Sequence, residues 1–517
     1  MPRHKDSEGH YHNPPQIIRL IRLVSGNPSF SVAYNPKPGY AQYPSANELC
    51  EDYVKTSVTD GDYESVYLYT SYDKQAVLGG REMPITGDGY FLIGYHQRFL
   101  PVTQEYIQLE YEKTKVYWLD WIQRTHAFTH YTDEIRRSAL VLKLLSNQES
   151  GAFLAAVTTS LPEQIGGVRN WDYRFCWIRD SSMILNILTR LGHYGVARNF
   201  AKFLFRIVPY KSDRIRIMYG IRGQTDLSER TLDWLAGYRN SKPVRVGNAA
   251  FIQRQNDIYG VLLDVMYSYI HIFPNEVENV EFLWTVTRTL ARTVAENWTL
   301  PDMGIWEFRE KPAHYVYSKV LCWVAADRSS KIASLLHKKE YEAEWTELAQ
   351  AIRADILEKG WNEERGTFTQ SYGSANTDAS NLLFADYGFI EATDPKFTST
   401  VRATRAELER DGLMYRYRNQ DDFGDPESSF TVCSFWLVKA LWQTGEKKDA
   451  KRLFDQLLCY RNPHGLYSED IDFTTKELLG NFPQGYSHLA LIDCAISIGE
   501  MKIDENGAII EQVQGRH

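Results

Sequence analysis

The chain has 517 residues, 43% of them hydrophobic, enough apolar surface for one large domain or two ordinary ones. With 58 Lys and Arg against 66 Asp and Glu the net charge is -8, and no basic run stands out, which argues against nucleic acid as a partner. No apolar stretch reaches membrane length, the opening MPRHKDSEGHYHNPP lacks a signal-peptide pattern, and the six cysteines show no CxxC or Cys/His spacing, so a cytoplasmic protein with reduced thiols, no metal and no membrane partner is expected.

Residues 15–105 read as strands. SFSVAY, ESVYLYTSY and YFLIGYHQRFL are rich in Tyr, Val and Phe and are separated by Gly, Pro, Asp and Asn. The period then changes: Ile107, Tyr111, Trp118, Trp121 and Ile122 recur at helical spacing, as in a connecting helix. The expected domains are a β-rich segment 1–105, a linker helix 106–130 and a helical domain 131–505. Helical candidates in the last begin with DEIRRSALVLKLLSN and SSMILNILTRLGHYGVARNFAKFLFRI, the latter read as one element. They continue through NDIYGVLLDVMYSYIHIF, SKVLCWVAADRSSKIASLLH and SFTVCSFWLVKALWQTG to SHLALIDCAISIGE. Several are apolar nearly all round, which predicts concentric layers of helices rather than a simple bundle.

Polar-aromatic stretches recur just before these helices: WIRD, GNAAFIQRQ, GIWEFREKPAHYVY, PES and GNFPQGY. If alternate helices run parallel, the stretches gather at one end and build a pocket from distant parts of the chain. In NWDYRFCWIRDS, residues 170–181, rings and charges alternate, and 13% of the whole chain is aromatic. Flat rings among Asn, Gln, Arg and carboxylates suit a neutral polyhydroxylated substrate, although rings also fill cores. Cleaving a glycosidic bond needs one carboxyl kept protonated by desolvation and another kept ionised. Glu307 lies between Trp306 and Phe308, where such a desolvated acid would be built; the bland alternative is a loop residue pairing with Arg309. Glu469, in NPHGLYSEDID, is the second candidate, or else a turn carboxylate. Asp180 is either a sugar-binding partner of Arg179 or the N-cap of a helix starting at Ser181. His314, His464 and His488 lack ligand spacing and read as hydrogen-bonded structural residues. No GxSxG, phosphate loop or dinucleotide fingerprint occurs, so no cofactor is expected.

Five stretches, taken together, resemble glycoside hydrolase family 15, the glucoamylase-like group that also includes bacterial and archaeal trehalases. They are AAVTTSLPEQIGGVRNWDYRFCWIRDSSM, LAGYRNSKPVRVGNAAFIQRQNDIYG, DMGIWEFREKPAHYVYSKVLCWVAADR, ESSFTVCSFWLVKAL and NPHGLYSEDIDFTTKELLGNFPQGYSHLALI. The resemblance implies a mainly α protein, an (α/α)6 barrel preceded by a β-sandwich domain and a helical linker. It implies inverting hydrolysis that releases β-glucose, with the two carboxyls about 6.5–9.5 Å apart. Carried over by motif, Glu307 falls on the general acid and Glu469 on the general base. Arg179 and Asp180 fall on the pair gripping the innermost glucose, with Trp177 against the same subsite and Trp306 beside the acid. Arg245, Asn248 and Gln255 are further substrate-binding positions on the same basis. The leading expectation is an exo-acting α-glucosidase of glucoamylase type; the alternative is α,α-trehalase, and a rival of another class is a non-catalytic sugar-binding homologue. Phosphorolysis on a similar barrel is disfavoured, because a carboxylate at Glu469 repels phosphate. Relative to the family's bacterial pattern, Met1-Pro2-Arg3 reads as the inside of a longer N-terminal stretch, so the sandwich is expected to be truncated. Oligomeric state is left open.

Overall fold

Period-two patterning in the first hundred residues produces an antiparallel sheet. In the computed structural model, which describes residues 4–5, 10–99, 102–207, 215–272 and 280–499, the strands are β1 (Gln16–Ile21), β2 (Ser45–Leu49), β3 (Val54–Val58), β4 (Ser65–Thr70) and β5 (Gly89–Tyr95). Their order is β1-β5-β4-β3-β2. Leu68 stands opposite Ile93 and Tyr69 opposite Leu92, so successive side chains leave on opposite faces. Val54, Leu68 and Phe91 pack with Met83 and with Ala76 and Val77 of helix α1 (Lys74–Leu78). Tyr69, Tyr90 and Leu92 pack against Ile107 of helix α2 (Gln104–Gln123). Of SFSVAY, Ser29–Phe30 forms a two-residue pairing with Met83–Pro84. This N-terminal unit runs to Gln123 and the second from Arg124 onward. The sequence reading of Met1-Pro2-Arg3, and the expected domain end at 505, fall outside the described residues.

The second unit is mainly helical. Its helices are α3 (Thr132–Leu145), α4 (Ile178–Arg190), α5 (Tyr194–Ile207), α6 (Asp257–Ile272), α7 (Val280–Asn297) and α8 (Val316–Leu335). There follow α9 (Lys339–Lys359), α10 (Pro395–Leu408), α11 (Thr431–Gln443), α12 (Lys447–Leu458) and α13 (Gly485–Ile498). A 3-10 segment, Ala379–Leu383, stands between α9 and α10. Helices α4, α6 and α8, this segment, α11 and α13 pack each against the next, and α13 returns to α4. Around that ring, α3 lies against α13, α5 against α4, α9 against α8 and α12 against α11. The split follows composition. Every residue from Val316 to Ala326 in α8 and from Thr431 to Val438 in α11 is buried, as an all-round apolar helix requires. Helix α12 buries Ala450, Leu453, Phe454 and Leu457, one stripe at helical spacing. No helix among the described residues is long and apolar enough to cross a membrane.

Two local features differ from the sequence reading. The stretch SSMILNILTRLGHYGVARNFAKFLFRI forms two helices, not one. It breaks at Gly192, whose φ of 90° ends α4 and whose absent Cβ leaves room for the His126 ring. Helix α10 lacks an apolar period strong enough to read, yet it starts on a legible pair: Asp394 accepts from the Lys396 N–H at 2.7 Å, and Pro395 takes the first turn.

His488 on α13 is a structural histidine. Its Nε2 accepts the Tyr467 N–H at 3.1 Å, which leaves Nδ1 to donate to Ser138 Oγ at 3.0 Å. Burial lowers its pKa to about 3, and His193 is lowered likewise to about 3. Both groups therefore support the fold above the unfolded-state value of about 6.5 and lose that support as pH falls towards 3. His488→Gln should melt below the wild type at neutral pH, and the gap should narrow on acidification. Melting curves that stay parallel across pH would contradict this.

Candidate active site

Four of the five polar-aromatic stretches, all but PES, supply residues to one cavity. A solvent-open cavity of about 820 Å³ lies at the N-terminal ends of α4, α11 and α13. Of the residues expected from sequence, Trp177, Arg179, Asp180, Asn248, Trp306 and Glu307 line it. Glu469 sits behind its wall, joined to the lining residue Tyr173, whose hydroxyl donates to Glu469 Oε1.

The segment 170–180 supplies most of the framework. Cys176–Trp177 pairs antiparallel with Met218–Tyr219 and runs directly into α4. The helix begins at Ile178, so Asp180 lies in its first turn and is not the N-cap. A carboxylate there is favoured by the helix dipole. Arg179 is 6% exposed, and its Nε and Nη1 donors are spent within the protein. Its Nε donates to Asp180 Oδ1 at 3.1 Å; its Nη1 faces Gln255 Oε1 at 3.3 Å, the Ile305 carbonyl at 3.3 Å and Asp257 Oδ2 at 3.4 Å. Arg179 thus ties α4 to the start of α6 and to the loop that carries Glu307. Gln255 supports Arg179 from behind and does not reach the cavity wall.

Glu307 is held in a tight turn, its N–H bonded to the Gly304 carbonyl at 3.2 Å. Its φ of 61° is left-handed, which costs a non-glycine residue about 1–2 kcal/mol. Such strain persists where surrounding structure imposes it, as functional sites often do. Oε1 accepts from Trp177 Nε1 at 2.7 Å. Burial raises the pKa of Glu307; Arg179 and hydrogen bonds from Trp177 and Gln255 oppose the rise. Arg309, the partner expected of an ordinary loop glutamate, pairs with Glu229 at 3.3 Å instead.

Glu469 lies just before Asp470–Ile471, the middle strand between Ser429–Phe430 and Leu478–Leu479. Its backbone is fixed by Thr431 and Asn481, and the side chain is fully buried. Gly480, at φ 76°, passes so close that a Cβ there would come 2.8 Å from Glu469 Oε2, so glycine is required. Burial first, then the Glu163 carboxylate, push the Glu469 pKa up to about 8. The Tyr173 and Trp177 rings meet edge to face at 5.4 Å. Each therefore holds one of the two candidate carboxylates.

The remaining expected residues divide. Asn248 lines the cavity while capping the 3-10 turn Ala249–Ile252 through its Oδ1. Trp306 Nε1 donates to both oxygens of Asp378 at 3.0 and 2.9 Å, which fixes the ring. Arg245 is not at the cavity wall. It donates to the Val168 and Asn170 carbonyls at 2.8 and 3.1 Å, and its guanidinium stacks 4.5 Å over Trp171. Several further residues at the cavity were not among the site residues expected from sequence. Arg169 donates to Asp421 at 2.6 Å, the Arg309 guanidinium lies 4.9 Å from the Trp171 ring centroid, and Phe423 meets Trp171 edge to face at 4.9 Å. Glu163 and Arg416 pair at 2.6 Å. The Tyr486 hydroxyl, also at the cavity, is buried without a hydrogen-bond partner. Two clusters have residue types suited to a metal ion: His4, His12 and Glu110 in the first unit, and Glu163, Glu469 and Asp470 in the second.

A protein from Mycolicibacterium smegmatis named trehalase is 37% identical over 517 residues, covering 96% of this chain and 76% of its own. One of the same name from Thermoplasma volcanium is 33% identical, covering 96% of this chain and 79% of its own. Among solved structures, a bacterial glucoamylase complexed with acarbose superposes with a TM-score of 0.69 at 13% identity, covering 96% of this chain and 82% of its own, a likeness of fold. Residues 130–496 match the description "Glycosyl hydrolases family 15". With that match and those identities, the chain belongs to glycosyl hydrolase family 15 and is a glycoside hydrolase.

Proposed function

We propose that this glycoside hydrolase is an inverting α,α-trehalase on an (α/α)6 barrel, with Glu307 as general acid and Glu469 as general base. The observation that carries the roles is the attachment of both carboxylates to adjoining rings of one segment, Glu307 to Trp177 and Glu469 to Tyr173. The closed ring of six inner elements supports the barrel. The relatives named trehalase, 33–37% identical over most of the chain, favour trehalose over the longer α-glucosides of the glucoamylase reading.

In this reading one glucose ring enters against Trp177, with hydroxyls facing Asp180 and the unpartnered Tyr486 hydroxyl. Arg179 orients Asp180 from behind. Glu307, kept protonated by desolvation, gives its proton to the bridging oxygen as the C1–O bond breaks. Glu469 takes a proton from water, whose oxygen bonds to C1 from the opposite face. The second glucose leaves with the proton from Glu307. Trp171 and Phe423, at the cavity and backed by arginines, offer apolar faces for that second ring.

Assay of the purified protein on trehalose, maltose, maltooligosaccharides and isomaltose should give its highest kcat/KM on trehalose. A clear preference for maltooligosaccharides would return the assignment to a glucoamylase type. Glu307→Gln and Glu469→Gln should each lower kcat by roughly 10²–10⁴-fold with the fold retained. Either variant turning over normally would remove that residue from its role. Arg179→Ala should lower both kcat/KM and the melting temperature. It leaves Asp180 and Asp257 buried without their cation, a loss on the order of 3–5 kcal/mol. A variant that melts like the wild type would show that the buried ion pairs do not hold the site.

A further inference from the structure

Glu163 belongs to SLPEQ, a loop stretch that offers no chemical pattern of its own. In the folded chain it is 2% exposed and lies on the cavity wall. One oxygen accepts from Trp171 Nε1 at 2.9 Å and the other from Arg416 Nη2 at 2.6 Å. Its backbone N–H is bonded to the Arg169 carbonyl at 3.1 Å. Both carboxylate oxygens are thus fixed, and so is the chain that carries them. Oxygens of Glu163, Glu469 and Asp470 all lie within 4.8 Å of one another.

Three buried carboxyls in so small a space cannot all ionise against one guanidinium. The groups facing Glu469 are Glu163, Asp470, Arg416 and the Tyr173 hydroxyl, with the Asn481 N–H at 3.4 Å. Asp470 is hydrogen-bonded by Ser428 Oγ at 2.9 Å through one oxygen, while the other has no hydrogen-bond partner. Burial, Glu163 and Glu469 all favour its neutral form. Arg416 and Tyr173 therefore stabilise the ionised base, and Glu163 opposes them.

We propose that Glu163 is a positioning residue that acts through Glu469: clamped by Arg416 and Trp171, it holds a second carboxylate against the base and strengthens the base's hold on the proton taken from water. This rests on the assignment of Glu469 as the base. No ordinary structural glutamate needs this arrangement. A salt bridge to Arg416 alone is served as well at the surface, without a like charge beside it. Asp470 shares the cluster, but Glu163 alone of its neighbours combines a place on the cavity wall with a cation and an indole that lock it. Glu163 and Arg416 are then opposed levers on one group. The first draws a proton to Glu469 as water attacks C1, and the second favours the ionised form of the base between turnovers.

The test is the pH profile of kcat/KM on trehalose for the wild type, Glu163→Gln, Arg416→Gln and Glu469→Gln. A base must be ionised to act, so activity falls as pH drops through the base's pKa. Glu163→Gln keeps the side chain's size and one of its two acceptor oxygens but removes the like charge. Its acid limb should move to lower pH by roughly one unit or more, while the alkaline limb, set by Glu307, stays in place. Arg416→Gln should move the acid limb the other way. A Glu163→Gln profile that is lower at every pH with both limbs unmoved would overturn the proposal and leave Glu163 as a structural residue. Should Glu163→Gln not fold, Arg416→Gln decides: an acid limb unmoved or shifted downward overturns it equally. Glu469→Gln separates the two readings. If it keeps normal turnover, the base assignment itself fails. If it loses turnover while the Glu163→Gln limb stays put, only the role of Glu163 fails.

Discussion

Tyr173 and Trp177 stand four residues apart, and each donates a hydrogen bond to a different glutamate, 469 and 307. The rest of the site depends on that double attachment. The two glutamates come from loops before different helices, about 160 residues apart in the chain, and neither loop alone fixes a distance to the other. The segment 170–180 does so, because it pairs with Met218–Tyr219 and then enters α4 without a break. Arg179, two residues after Trp177, carries the same role to α6 and to the Ile305 carbonyl two residues before Glu307. Rings serve this purpose well. They are rigid, they pack edge to face, and each presents a single polar atom at a fixed reach.

The second constraint is charge removed from water. Arg179, Asp180, Asp257, Glu163, Glu469 and Asp470 are all below 10% exposed. Burying such groups gains little stability over an apolar core and costs a great deal if one partner is lost. Their arrangement makes sense as function. Desolvation raises the pKa of both Glu307 and Glu469, that of Glu469 to about 8, and local partners then adjust each one separately. At Glu307 the adjusting partners are Arg179, Trp177 and Gln255. At Glu469 they are Tyr173, Arg416 and Glu163.

The polar-aromatic stretches are legible in the sequence because most of them set rings beside polar or charged residues immediately before an apolar helix. Glu307, Arg179 and Asp180 can be picked out there from the residues themselves, Trp177, Asn248 and Trp306 only through the resemblance to the family, and the structure places all six on one cavity. Buried helices such as α8 and α11 are legible for the same kind of reason, their apolar residues running all round. What stays hidden is whatever depends on a partner far along the chain. Glu163 gains meaning only next to Glu469 and Arg416. Arg245 matches a motif position, yet its donors go to the carbonyls of Val168 and Asn170, its charge to Glu229 at 3.2 Å and its plane to the Trp171 ring. Helix α10 hides behind Thr and Arg residues, and the 3-10 segment 379–383 is too short to show a period. The break at Gly192 was readable in principle, since a glycine after a basic residue commonly ends a helix.

The central claim is that Glu307 and Glu469 act from opposite faces of one sugar, as acid and base with water between. Stereochemistry tests this most directly. In α,α-trehalose the attacked carbon inverts to the β form, while the departing glucose keeps its α configuration. Proton NMR in the first minutes of hydrolysis, before the anomers equilibrate, should therefore show α- and β-glucose appearing in equal amounts. α-Glucose alone, or a glucosyl group trapped on either glutamate, would mean a retaining mechanism and would contradict the account.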